Sequence, residues 1–292
     1  MGSLLMQPWY GSFSKKKEFC MWNDKDKTPI WEFLGWTLLL SVFTNIIIFS
    51  LEPYSILFSD EGTLTIGYVV YAIIGISIST PSPMIAVFII LKRHKKINSI
   101  KDFFKLILHT HKIKKTILIT IGYCIPALGV ALIYGSRTSS PFFIIFIALP
   151  VLIIGGGVEE IGWRGFLQPA LENKFPFPIA TIIVSVIWYV WHLPIWLLPT
   201  SNHYGDSLIG FGITIFIWSF ALAAIYKSTK SVFACVMYHS FINSIGAIYD
   251  WNGLFDTFPN IIGMYIYYFI LLVVSVVLWF LSDKKGKRLT KL

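Results

Sequence analysis

Apolar residues along this chain gather into long unbroken runs, and polar residues collect in the stretches between them. Eight such runs can be drawn, roughly at residues 33–51, 64–91, 116–134, 142–157, 179–198, 208–226, 232–249 and 261–281. Each is close to the ~20 residues a membrane-spanning helix needs. The second is interrupted by Pro81 and Pro83, which predicts a kink or a shorter span. The fourth is short by itself and is expected to continue as helix through the polar residues after it, toward Leu171. The pattern predicts an all-α, polytopic membrane protein of about eight transmembrane helices. No internal repeat or low-complexity stretch divides it, so residues 1–292 read as one membrane domain, with residues 1–32 as a polar N-terminal segment.

Between Lys92 and Lys115 the pattern changes. Basic residues alternate with Ile100, Phe103, Phe104, Ile107 and Leu108 at helical spacing. That predicts an amphipathic helix lying along an anionic membrane surface.

Composition agrees. Of 292 residues, 55% are hydrophobic and 13% charged, against about 25% charged in soluble domains. A net charge of +9 invites a nucleic-acid reading, but placement decides against it. With a cytoplasmic N-terminus, every one of the 24 Lys and Arg residues except Arg137 falls on one side of the eight-span layout. The positive-inside rule then puts both termini in the cytoplasm, and no nucleic acid is expected as a partner. Membrane lipids and a peptide or membrane-protein substrate are. About thirty mostly polar residues before the first run predict no signal peptide, and Met6 breaks the myristoylation pattern begun by Met1-Gly2-Ser3. The three cysteines, Cys20, Cys124 and Cys235, have no metal or disulfide spacing, and Cys235 is expected to be a small core residue.

Candidate chemistry begins at Val158–Ala170, VEEIGWRGFLQPA, directly after the fourth run. Glu159 and Glu160 are adjacent, and Arg164 stands one helical turn after Glu160, on the same face. Ionisable groups at membrane depth are expensive and are usually kept for function. Two of the six histidines lie well inside apolar runs. His192 follows Trp188 by four residues, and His239 precedes Asn243 by four, so each pair can face one cavity. His94, His109 and His111 sit in the basic loop and are expected to be solvated. By helical rise His239 lies about 12 Å and His192 about 20 Å from the cytoplasmic ends of their runs, and Glu159 about 5 Å from its inner boundary. Those depths are compatible with one site in the inner half of the membrane.

A carboxylate and two histidines can hydrolyse a bond in two ways. A buried glutamate can take a proton from water while a histidine orients that water, with Asn243 and the second histidine donating to the oxyanion. Alternatively Glu159, His192 and His239 can hold a zinc ion with one position open to water, although no HExxH helix supports that arrangement. A serine nucleophile is disfavoured: Ser240 points away from His239 on a helix, and there is no GxSxG elbow. Arg164 is expected to pair with Glu160, leaving one carboxylate as base and the other as its structural partner.

These residues resemble the CPBP family of intramembrane proteases, the group containing CAAX prenyl endoproteases of the Ras-converting type and bacterial Abi-type proteins. The family pattern is EExxxR, FxxxH and HxxxN. Here it stands as Glu159-Glu160…Arg164, Trp188…His192 and His239…Asn243, with tryptophan where phenylalanine is usual. The resemblance covers about residues 140–250, the expected catalytic core. It implies eight helices and a site opening toward the cytoplasm. It also implies that Glu159 and His192 activate water, that His239 and Asn243 bind the oxyanion, and that Glu160, Arg164 and Trp188 support them. Family names often say metalloprotease, which leaves the zinc alternative open. Bacterial members are linked to bacteriocin immunity and peptide maturation, and the Lys- and Ile-rich composition looks bacterial. A non-catalytic scaffold or immunity-type binding protein of the same fold is the alternative from another class, and a transporter a third.

Overall fold

The apolar runs fold as helices in a computed structural model of the chain, which describes residues 28–56, 80–134, 136–138, 140–199, 201, 203–250 and 258–289. In order these are α1 (Ile30–Ile56), α2 (Ser82–Arg93), α3 (Ile100–Leu108), α4 (Ile113–Tyr134), α5 (Ile144–Leu152), α6 (Glu159–Gly162), α7 (Gln168–Glu172), α8 (Phe177–His192), α9 (Leu208–Thr229), α10 (Val232–Ile245) and α11 (Phe258–Leu289). A kink within Ile153–Gly157, where Gly155 and Gly156 leave helical geometry, links α5 to α6, and a short π-helical turn at Trp163–Leu167 links α6 to α7. Strand structure among the described residues is one antiparallel pair, Ser136–Arg137 with Tyr249–Asp250. The protein is all-α.

Five described helices are each long and apolar enough to cross a membrane, and a sixth span results if the bent pair Ile144–Gly157 and Glu159–Glu172 is taken as one. The fourth apolar run does continue as helix through the polar motif, to Glu172. For the second run, only the part from residue 80 on is described, and α2 begins at the predicted proline break, with Pro83 in its first turn. Of the polar segment 1–32, residues 1–27, Cys20 among them, lie outside the described residues.

Side chains explain why this bundle holds. In lipid there is no hydrophobic drive between helices, so close packing and interhelical hydrogen bonds must do the work. Gly162 is one close approach, because a methyl there would run into Pro83 of α2. Tyr123 and Ser275 join α4 to α11 at 3.0 Å, and the Tyr238 and Tyr267 hydroxyls join α10 to α11 at 3.1 Å. Trp191 donates to Ser41 of α1 at 2.6 Å. Bonds of this kind contribute about 0.6 kcal/mol each in a bilayer. Leu38, Phe43, Leu118, Ile125, Ile133 and Phe269 remain largely exposed, as lipid-facing positions should.

α10 is the axis of the assembly. Its fourteen residues are short for a span, yet Cys235, Val236, Tyr238, His239, Ser240 and Ile242 are all buried. α4, α5, α6 and α9 pack around it, as does the Ile153–Gly157 turn. Ser231 caps its start, accepting from Ala234 N at 3.3 Å.

The predicted amphipathic helix is shorter than the basic loop that carries it. α3 buries Phe103 and Ile107 against the bundle, where Phe103 meets Phe88 at a 5.3 Å centroid distance, and exposes Ile100, Phe104 and Leu108. A reciprocal capping box starts it. Asp102 N bonds to Ser99 Oγ at 3.2 Å, and Ser99 N bonds to Asp102 Oδ2 at 3.0 Å. The Ser99 hydroxyl, 2.9 Å from the same oxygen, holds the Asp102 carboxyl below the usual carboxylate range. Burial lowers the His109 imidazole below its ordinary value. His94 meets Glu32 of α1 at 2.8 Å.

Candidate functional site

Three consecutive glycines make the site. Gly155, Gly156 and Gly157 interrupt the helix after α5, and the chain bends by 41° before α6. Gly156 sits at φ 154°, ψ −54°, a conformation favouring glycine. A methyl at Gly156 would lie 2.6 Å from Asn243 Nδ2 and 3.4 Å from His239 Nε2. The two donors of α10 therefore converge on a backbone surface that only glycine leaves open. The glycine triplet was visible in the sequence, as a run of small residues just ahead of two carboxylates, but the sequence reading assigned it no role.

Beyond the break, Glu159 and Glu160 diverge. Glu160 is fully buried and fully committed. Its Oε1 lies 2.8 Å from His239 Nδ1, and its Oε2 lies 3.2 Å from Arg164 Nε, one turn along. Arg164 is buried too, donating from Nη2 to Ser219 Oγ on α9 at 2.8 Å, with its guanidinium carbon 4.6 Å from the centre of the Trp188 ring. Nothing in the sequence marked Ser219, a lone hydroxyl in an apolar helix. Glu159 is 3% exposed and instead accepts from Trp188 Nε1, at its Oε2, 2.8 Å away.

His192 ends α8. Its Nδ1 lies 2.8 Å from the Trp188 carbonyl. A carbonyl only accepts, so Nδ1 carries a proton, and in the neutral ring Nε2 is the nitrogen with the lone pair. Trp191, Trp188 and Phe211 surround the ring at centroid distances of 4.8, 5.5 and 5.3 Å. His239 has a different environment, with the Glu160 carboxylate at its Nδ1. Its ring centre is 5.5 Å from that of Trp188. All seven residues singled out in the sequence thus meet in one cluster, directly or through Trp188 and Gly156, with His192 and Asn243 half-buried. Ser240 and Cys235 take other roles. The Ser240 hydroxyl donates to Val236 O at 2.7 Å, and Cys235 packs in the core with Sγ 3.4 Å from Leu222 O.

Depth along the bundle differs from the sequence expectation. Lys227 pairs with Glu172 at 2.8 Å and lies 5.1 Å above the Phe177 ring, marking one end of α7, α8 and α9. Counted along each helix separately, His239 lies about 10 Å from Val232, Glu159 about 20 Å from Glu172 and His192 about 22 Å from Phe177. The earlier figure for Glu159 took the apolar run to end at Gly157, whereas the helix continues to Glu172.

Among the described residues no group of three or more His, Cys, Asp or Glu side chains is arranged to hold a metal ion. Glu159 Oε2 and Nδ1 of both histidines are already engaged by Trp188 and Glu160. The three residues expected to bind zinc do not form a ligand set in this arrangement.

The arrangement offers a buried carboxylate with one oxygen uncommitted, a histidine lone pair, and two N–H donors facing a glycine surface. Those are the elements of water activation and oxyanion binding. Comparison with known proteins gives a match in the same place. Residues 141–245 match the family described as type II CAAX prenyl endopeptidase Rce1-like. A relative named CAAX prenyl protease 2, from Methanococcus maripaludis, is 26% identical over 100 residues, or 32% of this chain. The match spans 37% of that relative's length.

Proposed function

We propose that this chain, which is similar over residues 141–245 to the Rce1-like CAAX prenyl endopeptidases, is an intramembrane endopeptidase that hydrolyses a peptide bond in a membrane-associated or hydrophobic peptide. The observation carrying this reading is the division of labour between adjacent carboxylates. Glu160 is tied to His239 and Arg164, while Glu159 keeps an oxygen for water.

One proton of the water goes to Glu159 Oε1, and the other hydrogen-bonds to His192 Nε2. The water oxygen attacks the scissile carbonyl carbon, and the carbonyl π pair moves onto oxygen. His239 Nε2–H and Asn243 Nδ2–H receive that oxyanion at the Gly156 surface. Glu159 then gives its proton to the amide nitrogen as the tetrahedral intermediate collapses. The hydroxyl proton of the new acid, hydrogen-bonded to His192 Nε2, passes through that nitrogen to the amine, so a carboxylate and an ammonium leave and the atoms balance without a further reactant. An acid worked in both directions commonly gives 10²–10⁴-fold, and one oxyanion donor about 10²–10³-fold. Glu160 and Arg164 act by holding His239 and the bend of the motif.

Both termini are placed in the cytoplasm, on the charge distribution of the loops. The relative's name concerns CAAX prenyl substrates, and whether an isoprenyl group is needed here belongs to the test. Purified protein in lipid nanodiscs would be offered quenched-fluorescence hydrophobic peptides, with and without a thioether-linked isoprenyl chain. Cleavage is expected, and Glu159→Gln is expected to abolish it with the fold retained. Turnover undiminished in Glu159→Gln would defeat the reading.

A further inference from the structure

Trp188 stands where the family pattern has phenylalanine, and the difference between the two side chains lies at the reacting group. Both offer an aromatic ring and a backbone carbonyl. Only tryptophan offers a ring N–H. Here that N–H is 1% exposed with its residue and donates to Glu159 Oε2 at 2.8 Å.

Glu159 needs such a tether. It lies just past a helix break at Gly155, Gly156 and Gly157, so the residues two to four positions before it have no side chains to pack against it. The terminal torsion of a glutamate is broad and roughly two-fold, so packing alone fixes a carboxylate plane poorly. A hydrogen bond from the indole removes that rotation, occupies Oε2 and leaves Oε1 for water. The indole is itself held firmly. Arg164 lies 4.6 Å over its ring, and the His239 and His192 rings meet it edge-on at 5.5 Å. Its own carbonyl accepts from His192 Nδ1 at 2.8 Å. One residue therefore orients both groups that would contact the water, the carboxylate through its side chain and the imidazole through its backbone.

We propose that Trp188 is a positioning residue whose indole N–H holds the Glu159 carboxylate in its water-activating orientation, a tether that phenylalanine at this place would not provide. The proposal rests on the hydrolytic reading of the site given above.

The test replaces the N–H without removing the ring. Benzothienylalanine at position 188, installed by nonsense suppression, keeps the bicyclic shape and the surface under Arg164 but has sulfur in place of N–H. Trp188→Phe is made beside it. In both, kcat is expected to fall about 10- to 100-fold with KM unchanged, because the lost bond acts on the attacking water and not on peptide binding. A purely structural role would instead spare the benzothienyl variant, whose packing is intact, and wild-type kcat in that variant overturns the proposal. Should either variant fold poorly, the ¹⁵N-indole resonance of Trp188 gives an independent reading. It is expected to shift upfield in Glu159→Ala, and an unmoved resonance overturns the tether. Glu159→Gln is assayed in parallel: full turnover there defeats the hydrolytic mechanism itself, whereas a dead Glu159→Gln with a fully active benzothienyl variant defeats the tether alone.

Discussion

Glu160 Oε1 lies 2.8 Å from His239 Nδ1, on two helices separated by 79 residues, with both side chains removed from solvent. The same carboxylate meets Arg164 at 3.2 Å. Glu160 thus contacts two buried side chains directly, one of them the Arg164 guanidinium, whereas the direct partner of Glu159 is the neutral indole of Trp188.

This asymmetry predicts unequal stability effects for two isosteric changes. Glu160→Gln leaves Arg164 as an uncompensated buried charge, which costs about 3–5 kcal/mol. Glu159→Gln retains an amide oxygen to accept from Trp188 and should cost under about 1 kcal/mol. Thermal unfolding in detergent is expected to show a marked loss for the first and little for the second, with cleavage lost in both. Equal destabilisation would contradict the assignment.

Gly156→Ala places a methyl 2.6 Å from Asn243 Nδ2, at a φ of 154° that non-glycine residues rarely adopt. The strain alone is about 1–3 kcal/mol. Turnover is expected to fall at least 10²-fold, since the added methyl fills the surface assigned to the oxyanion. A Gly156→Ala protein that cleaves normally would move the oxyanion site elsewhere.

Asn243→Ala removes one of the two donors facing that surface. The expected result is a kcat about 10²–10³-fold lower with KM little changed. A rise in KM at constant kcat would instead make Asn243 a substrate-binding group.

Prolonged dialysis against a chelator is expected to leave cleavage intact, because Glu159, His192 and His239 are not grouped as metal ligands. Loss of activity restored by zinc would show that the side chains regroup around an ion.

A pH effect is expected at the membrane-surface helix α3. Asp102 is held below its usual range by Ser99, so its capping box contributes stability above the unfolded value, near 3.8, and loses it as pH falls through the lower folded value. Amide exchange at Asn98 and Ser99, whose N–H groups donate to Asp102, should accelerate in that window and, in Asp102→Asn, lose its pH dependence beyond the intrinsic rate.

The sequence by itself determined the class of the protein and the cast of its site. Long apolar runs with few charges have one stable solution in a bilayer, the helix, because every backbone polar group must be satisfied within its own segment. Isolated ionisable groups inside such runs are costly enough that Glu159, Glu160, Arg164, His192 and His239 stood out one by one. Spacing along one helix even indicated the Glu160–Arg164 pair. Partnerships between helices were a different matter, since they depend on crossing angle and depth, which no local pattern records. Only the tertiary structure decided that Glu160 rather than Glu159 holds His239, that Ser219 completes the Arg164 environment, and that Trp188 reaches Glu159. It likewise decided that the glycine triplet bends the chain where two donors from α10 converge. The bend is a backbone event, and its effect appears only when another helix is packed against it.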